Sequence, residues 1–331
     1  MALRFIDSFD HYSGGALPLK WSIVSGATIA TVPRTGSQSL VCDAQNDYAA
    51  MVLDNQATWI VGFAYRQITA GATGLVCSFR DEASIQCDVR LSNGVLTVTR
   101  NGTVLATGTT FLLANTWYYI EFKATINNSG SFELRLNGVV EVSGSGVDTQ
   151  STANAYANRF YCEIAGVNDA YFDDLYILDS TGSTNNNFLG DVRVEALFPN
   201  GNGNSSLLDG SDGNQTDNYL LVDETPPNSD TDYVESSDVG DKDTYTYSNL
   251  TTTAGTVYGV QIVSWSRKTD AGARSIRQIA RVSGSEADSP SDIELSTSYR
   301  YFSEIRETKP GGGSWTISDV NGAEFGVKIT V

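Results

Sequence analysis

The chain has 331 residues, 40% of them hydrophobic, with 31 glycines, seven prolines and a formal charge of −18 from 39 acidic and 21 basic residues. That length suits two domains, each able to bury a core. The acidic excess, without any basic block, excludes a nucleic-acid binder and disfavours an anionic membrane surface, and no run approaches the roughly 18 apolar residues of a membrane-spanning helix.

The opening MALRFIDSFDHY carries neither a basic leader nor an apolar core, so no signal peptide is expected and a reducing cytoplasm is the expected folding compartment. It holds the one histidine, His11. A Ser-His-acid triad would have to use it, yet no nucleophile elbow follows, and His11 reads as a strand-end or surface residue. Cys42, Cys77, Cys87 and Cys162 show no C-x-x-C spacing, which argues against zinc.

Residues 75–107 read as a meander. A turn at Asp81, Glu82 and Ala83 sets Phe79 against Ile85 and Cys77 against Cys87. Asn93-Gly94 pairs Leu91 with Leu96 and Val89 with Val98, and Asn101-Gly102 pairs Val98 with Leu105. One face is then apolar, while Arg80, Ser84, Asp88, Arg90, Thr97 and Thr99 line a wet one. Cys77 and Cys87 become inward neighbours, either a cross-strand disulfide or two small buried hydrophobes; a reducing compartment favours the thiols.

Further on, Tyr118, Ile120, Phe122 and Ala124 answer Phe132, Leu134 and Leu136. A bulge after Asn137-Gly138 sets Leu136 against Val140 and Leu134 against Val142, because a plain turn would place Glu141 on the apolar face. RFYCEIAG and AYFDDLYILD bring the strands to about ten, a jelly-roll number. A Trp opening one strand, a partner ending in LRLNG and a late FDDLYILD strand resemble the concanavalin A-like or laminin-G-like jelly roll.

STGSTNNN has linker composition, so the expected domains are 1–182 and 183–331: an all-β chain of two antiparallel sandwiches in tandem. Around this seam, Asp173 and Asp179 should point one way and Asp174 the other, with Asp191 and Glu195 on the next domain's first strand. All five read as solvated rather than as a shared site. The second domain's strands are read at DVRVEALF, NYLLVD, DTYTYSNL, VYGVQIVSWSRK, RSIRQIARVSG, SYRYFSEIRET and EFGVKITV, with a hairpin around Asp270-Ala271-Gly272 and a helical turn in WTISDVNGAE.

No pair of glutamates with the E-x-D-x-E spacing of concanavalin-like glycosidases is present, so a hydrolase is not expected. Asp230, Asp232, Glu235, Asp238, Asp241 and Asp243 crowd one loop that lacks EF-hand order; it reads as a solvated acidic loop with Ca²⁺ as the one cofactor to weigh. Trp and Tyr are abundant enough to stack sugars but read mostly as core or interface.

The blocks MALRFIDSFDHY, FDDLYILD, LGDVRVEALFPNGNGNSS, DYVESSDVGDKDTYTYSNL and GGSWTISDVNGAEFGVKITV, in that order, resemble structural proteins of tailed bacteriophages. The resemblance implies a non-enzymatic virion component, tail-associated or capsid-decorating, assembled in the host cytoplasm from repeated copies. Its partners would be other virion proteins and further copies of itself in a trimer or larger ring. Arg267, Lys268, Arg274, Arg277 and Arg281 concentrate on one segment and are the expected contact with an acidic partner. The alternative function is a carbohydrate-binding module that recognises host surface glycans through the jelly roll.

Overall fold

The computed structural model describes residues 2–12, 17, 20–164 and 169–331, and the chain divides into two units. The first comprises Trp21–Val194 with the N-terminal residues to Leu17; the second comprises Pro18–Lys20 and Glu195–Val331. Both are antiparallel β structures, as expected.

The first unit contains β1 (Leu3–Asp7), β2 (Ile23–Ser25), β3 (Thr28–Ala30), β4 (Ser39–Cys42), β5 (Tyr48–Gln56), β6 (Thr58–Gln67), β7 (Gly74–Asp81) and β8 (Ser84–Ser92). It continues with β9 (Val95–Arg100), β10 (Thr103–Phe111), β11 (Tyr118–Thr125), β12 (Gly130–Leu136), β13 (Val139–Val147), β14 (Ala157–Glu163) and β15 (Ala170–Asp179). One sheet runs β13-β12-β11-β6-β15-β4-β3, with β1 also on β15; the other runs β10-β9-β8-β7-β14-β5-β2. Between them lies an aromatic core. Phe79 of the seven-stranded sheet stacks on Phe122 of the other at 5.4 Å, and Phe160 joins Phe79 to Phe63 and Phe172. Each such ring, wholly buried, contributes about 1.5–3 kcal/mol by leaving water.

The expected registers hold where apolar alternation is strict. Ile120 opposes Leu136, Phe122 opposes Leu134, Ala124 opposes Phe132, Leu91 opposes Leu96 and Val89 opposes Val98. They shift where turns and bulges intervene. The turn after β7 takes two residues, Glu82 (φ 52°) and Ala83, so Asp81 meets Ser84. A bulge between Phe79 and Arg80 then sets Phe79 against Cys87 and Cys77 against Val89. Cys77 instead opposes Cys162 of β14, and all four cysteines are buried thiols. Val98 opposes Ala106 rather than Leu105. Asn137 and Gly138, at φ 50° and 80°, form a plain two-residue turn that pairs Leu136 with Val139. The bulge falls farther along, between Leu134 and Arg135, and leaves Leu134 opposite Val142 as expected. It frees Glu141 to accept the amide hydrogens of Thr109 and Thr110, a carboxylate that burial would raise but those bonds hold below its usual pKa.

The second unit contains β16 (Pro199–Ser206), β17 (Asp209–Gly210), a 3₁₀ turn (Asn218–Leu221), β18 (Val234–Glu235), β19 (Lys242–Tyr247), β20 (Val260–Ser266) and β21 (Ser275–Val282). β22 (Ser285–Asp288), β23 (Ile293–Glu294), β24 (Arg300–Arg306), α1 (Ile317–Asn321) and β25 (Glu324–Ile329) complete it. A six-stranded sheet, β16-β19-β25-β21-β22 with β23 on β21, is joined by the pairs β20–β24 and β17–β18. Ile262, Ala280, Val282, Trp315, Val320, Ala323 and Phe325 form a core. The expected helical turn is α1, closed by a capping box between Thr316 and Asp319.

Four expectations fail here. DVRVEALF is not a strand, and NYLLVD is the 3₁₀ turn. PNGNGNSS is a strand without any apolar alternation, because backbone bonds to β19 and the Glu324 carboxylate hold it; a Cβ on Gly203 would stand 2.6 Å from that carboxylate. No hairpin forms at Asp270-Ala271-Gly272: β20 joins β24, and β21 joins the six-stranded sheet. The division between units falls after Val194 rather than at 182. Leu189 N–H donates to Tyr176, Gly190 N–H to Glu121 and Val194 N–H to Asp174, which lace the segment to the first sandwich.

Candidate functional site

Three of the five seam acids are not solvated: Asp173, Asp174 and Asp179 are completely buried, while Asp191 is exposed as expected. A register shift between Asp173 and Tyr176, with Asp174 at φ 50°, breaks the period-2 alternation and turns consecutive carboxylates into one pocket of donors. Asp173 accepts the backbone N–H groups of Arg34, Thr35 and Asp174. Asp174 accepts from the Thr35 hydroxyl, Val194 N–H and Arg34 Nη1. The Arg34 guanidinium also reaches Asp191 and the Val192 carbonyl. Burial, then the charge of Asp174, pushes Asp173 up to about 8 against its backbone donors. Burial raises Asp174 against Val194, Thr35 and Arg34. All four carboxylate oxygens are engaged internally, so this is a structural clamp. Glu195 lies in the second unit, where it accepts from Thr251 and Thr252.

The six residues weighed for Ca²⁺ disperse. Asp230 pairs with Arg267 at 2.8 Å and accepts from the Tyr299 hydroxyl at 2.9 Å. Asp232 accepts from Asn228, Asp241 accepts from Ser236, and Glu235 sits opposite Asp209 on β18. Asp238 donates its own N–H to Ser236. Asp243 is drawn wholly inside by β19, where Leu207 N–H, Leu208 N–H, Asn218 and the Tyr245 hydroxyl occupy it. Among the described residues no three metal-ligating side chains converge, and the Ca²⁺ loop is set aside.

The basic segment is likewise not a bare patch. Arg267 pairs with Asp230, Arg274 with Asp270, Arg277 with Asp292 and Arg281 with Glu324, and Lys268 donates to the Gly272 carbonyl. Arg277 and Arg281 lie on β21 and the other three in the segment between β20 and β21, and the four arginines are each neutralised locally instead of pooled. His11 lies against Tyr12, with ring centroids 4.1 Å apart, and 3.9 Å from Asp7. Trp21, Trp59 and Trp315 are core residues.

Of the residues expected on the wet, outer face of the seven-stranded sheet, Ser84 is exposed, whereas Asp88 is fully buried and Thr97 and Thr99 nearly so. Ser78 and Gln86, not singled out from the sequence, are fully buried beside them. The register aligns Thr99, Asp88, Ser78 and Tyr161 across four strands, with Arg90 beside Thr97 and Arg80 beside Arg159. Arg80 donates from Nε to Ser78 at 2.8 Å and pairs with Glu163, and its guanidinium lies 4.0 Å over the Tyr161 ring. Tyr161 in turn packs against Tyr48. Arg90 pairs with Asp88 through Nε, and Thr99 donates to the same carboxylate at 2.6 Å. Burial raises Asp88 above the usual carboxylate range, opposed by Thr99 and Arg90. The carboxylates form a lower layer and the two guanidiniums an upper one, Arg90 keeping about a third of its side-chain exposure. The Thr97 hydroxyl and Arg159 Nε are buried and have no hydrogen-bond partner among the described residues.

No protein-family description matches the sequence, and no curated protein does. Solved structures with a similar fold include an endo-β-1,4-glucuronan lyase from the fungus Trichoderma reesei, at 11% identity over 50% of this chain and 95% of that one, with a TM-score of 0.39. Cellulose induced protein Cip1 is similar at 18% identity, covering 52% and 89%, with a TM-score of 0.37. The binding domain of Paraclostridial Mosquitocidal Protein 1 is similar at 14%, covering 48% and 44%, with a TM-score of 0.37.

Proposed function

We propose that this protein is a non-enzymatic glycan-recognition component of a tailed-bacteriophage particle, and that it contacts saccharide through the outer face of the seven-stranded sheet. The observation that carries the reading is the burial of Asp88, Glu163, Ser78, Thr97 and Thr99 on a sheet face that needed none of them for its core. Desolvating carboxylates costs several kcal/mol each unless donors surround them, and replacing such groups by apolar ones is often neutral or stabilising. Stability alone gives no reason to build this layer, whereas preorganising two guanidinium forks does. A ligand here meets the partly exposed Arg90 and Arg80 guanidiniums, with the carboxylates that they pair with just beneath as acceptors. Only a hydroxyl-rich molecule supplies both complements; a bare anion would meet Asp88 and Glu163. The place on a particle is supported by the ordered sequence blocks.

Arg90→Lys tests the face at its more exposed fork, because it keeps the positive charge beside Asp88 and removes the planar donor set. Screened on a glycan array beside the parent protein, Arg90→Lys is expected to lose about five- to tenfold in affinity, the value of one hydrogen bond. Unchanged binding by this variant and by Tyr161→Ala would refute the assignment. Release of reducing sugar or unsaturated product from a bound polysaccharide would refute the non-enzymatic part.

A further inference from the structure

The second unit holds an aromatic column that its core does not use. In the β20–β24 pair, Ile262 enters the core and the Ser264 hydroxyl accepts from Gln278 of β21, so that side faces the six-stranded sheet. Trp265 and its cross-strand partner Tyr301 therefore face away. Their ring centroids lie 4.5 Å apart, and Tyr299 lies parallel to the indole at 5.6 Å with 6° between the planes. Arg267 extends the column, 5.0 Å from the Tyr299 centroid. All four side chains are half-buried. Beside them, Asp230 accepts from Arg267 and Tyr299. Ser229, at φ 62°, places its hydroxyl 3.3 Å from the indole nitrogen.

Cross-strand aromatic pairs do stabilise a two-stranded ribbon. That role would not require a serine in the left-handed region, which residues with a Cβ seldom occupy, nor a carboxylate held at the ring edges. Strained backbone, accessible rings and a donor–acceptor pair converge on one spot.

We infer that the Trp265–Tyr299–Tyr301 column is a second saccharide-binding site, specific for a neutral sugar whose C–H face lies on the accessible rings while Asp230 and Arg267 bond its hydroxyls. Neutrality follows from charge: an acidic sugar would meet Asp230 within a chain of net charge −18. The inference goes beyond the reading of the first unit and shares none of its residues. It gives each chain two saccharide contacts, so binding to a polymer gains avidity that a short oligosaccharide lacks.

Full-length protein is titrated with cellohexaose, maltohexaose and a hexameric uronate, by calorimetry and by tryptophan fluorescence. One neutral hexasaccharide is expected to quench a component that Trp265→Phe removes. Tyr299→Ala should weaken its binding at least tenfold, and Trp265→Phe, which keeps a ring, less than threefold. Arg90→Lys should leave this quenching unchanged. Loss of binding in Arg90→Lys but not in Tyr299→Ala overturns the second site and leaves the first reading intact; the reverse pattern supports the second site and removes the first. Tightest binding by the uronate overturns the assignment of a neutral ligand. Absence of quenching by all three sugars overturns the column as a saccharide site, as does an occupant that proves to be another protein.

Discussion

Arginine–carboxylate pairs differ in burial between the clamp and outer sheet face of the first unit and the basic segment of the second. In the first, the acids of the pairs Arg34–Asp174 and Arg90–Asp88 have side chains with no exposure, and that of Arg80–Glu163 has 7%. In the second, Asp230 keeps 66% exposure opposite Arg267, Asp270 keeps 48% opposite Arg274 and Asp292 keeps 41% opposite Arg277. The chemistry is the same and the surroundings differ. A buried pair fixes a guanidinium in one orientation, because breaking it leaves an uncompensated charge; an exposed pair exchanges freely with water. The first unit is thus suited to rigid hydrogen-bonding recognition, and the second to stacking assisted by an adjustable ion pair.

That contrast is broken most severely at the clamp. Arg34→Ala leaves the buried Asp174 carboxylate without its cation, and the first unit's unfolding free energy should fall by about 3–5 kcal/mol in a denaturant titration. A change under 1 kcal/mol would mean that the backbone donors suffice. A gentler probe is pH. Asp173 is pushed up to about 8 in the folded chain and sits near 3.9 when unfolded. The folded state therefore binds more protons between those values, so this group's stabilisation is full below pH 4 and is lost as pH rises towards 8. The thermal midpoint of the first unit should drop across that window, and Asp173→Asn should flatten the slope. The smallest effect is expected at the exposed pair. Arg277→Ala should leave the second unit's midpoint unchanged within error, whereas a clear drop would show that the exposed pairs act as a network.

Much of the first unit was legible. Strict alternation in YYIEFKAT and SFELRL sets the β11–β12 register, and Asn-Gly pairs announce their turns, since both positions need positive φ. Bulges were less legible: one extra residue at Phe79/Arg80 or at Asp174 has no compositional mark, yet it decides which carboxylates are buried together. In the second unit PNGNGNSS escaped notice because its pairing rests on backbone bonds and on the reach of Glu324. Asp230 and Arg267 were both singled out, for different purposes, and nothing local to either announced that the fold would bring them together.

Composition and periodicity by themselves determined an acidic, all-β chain in two parts, because alternating apolar residues and glycine-rich turns can bury their surface in no other way. Tertiary structure alone decided which polar residues lost their water. Sequence records the side to which a residue points; whether that side stays wet depends on what other strands and loops lay over it. For Asp173 those covering groups, Arg34 and Thr35, come from a distant part of the chain, and for Asp88 they are Arg90 and Thr99 of the same meander.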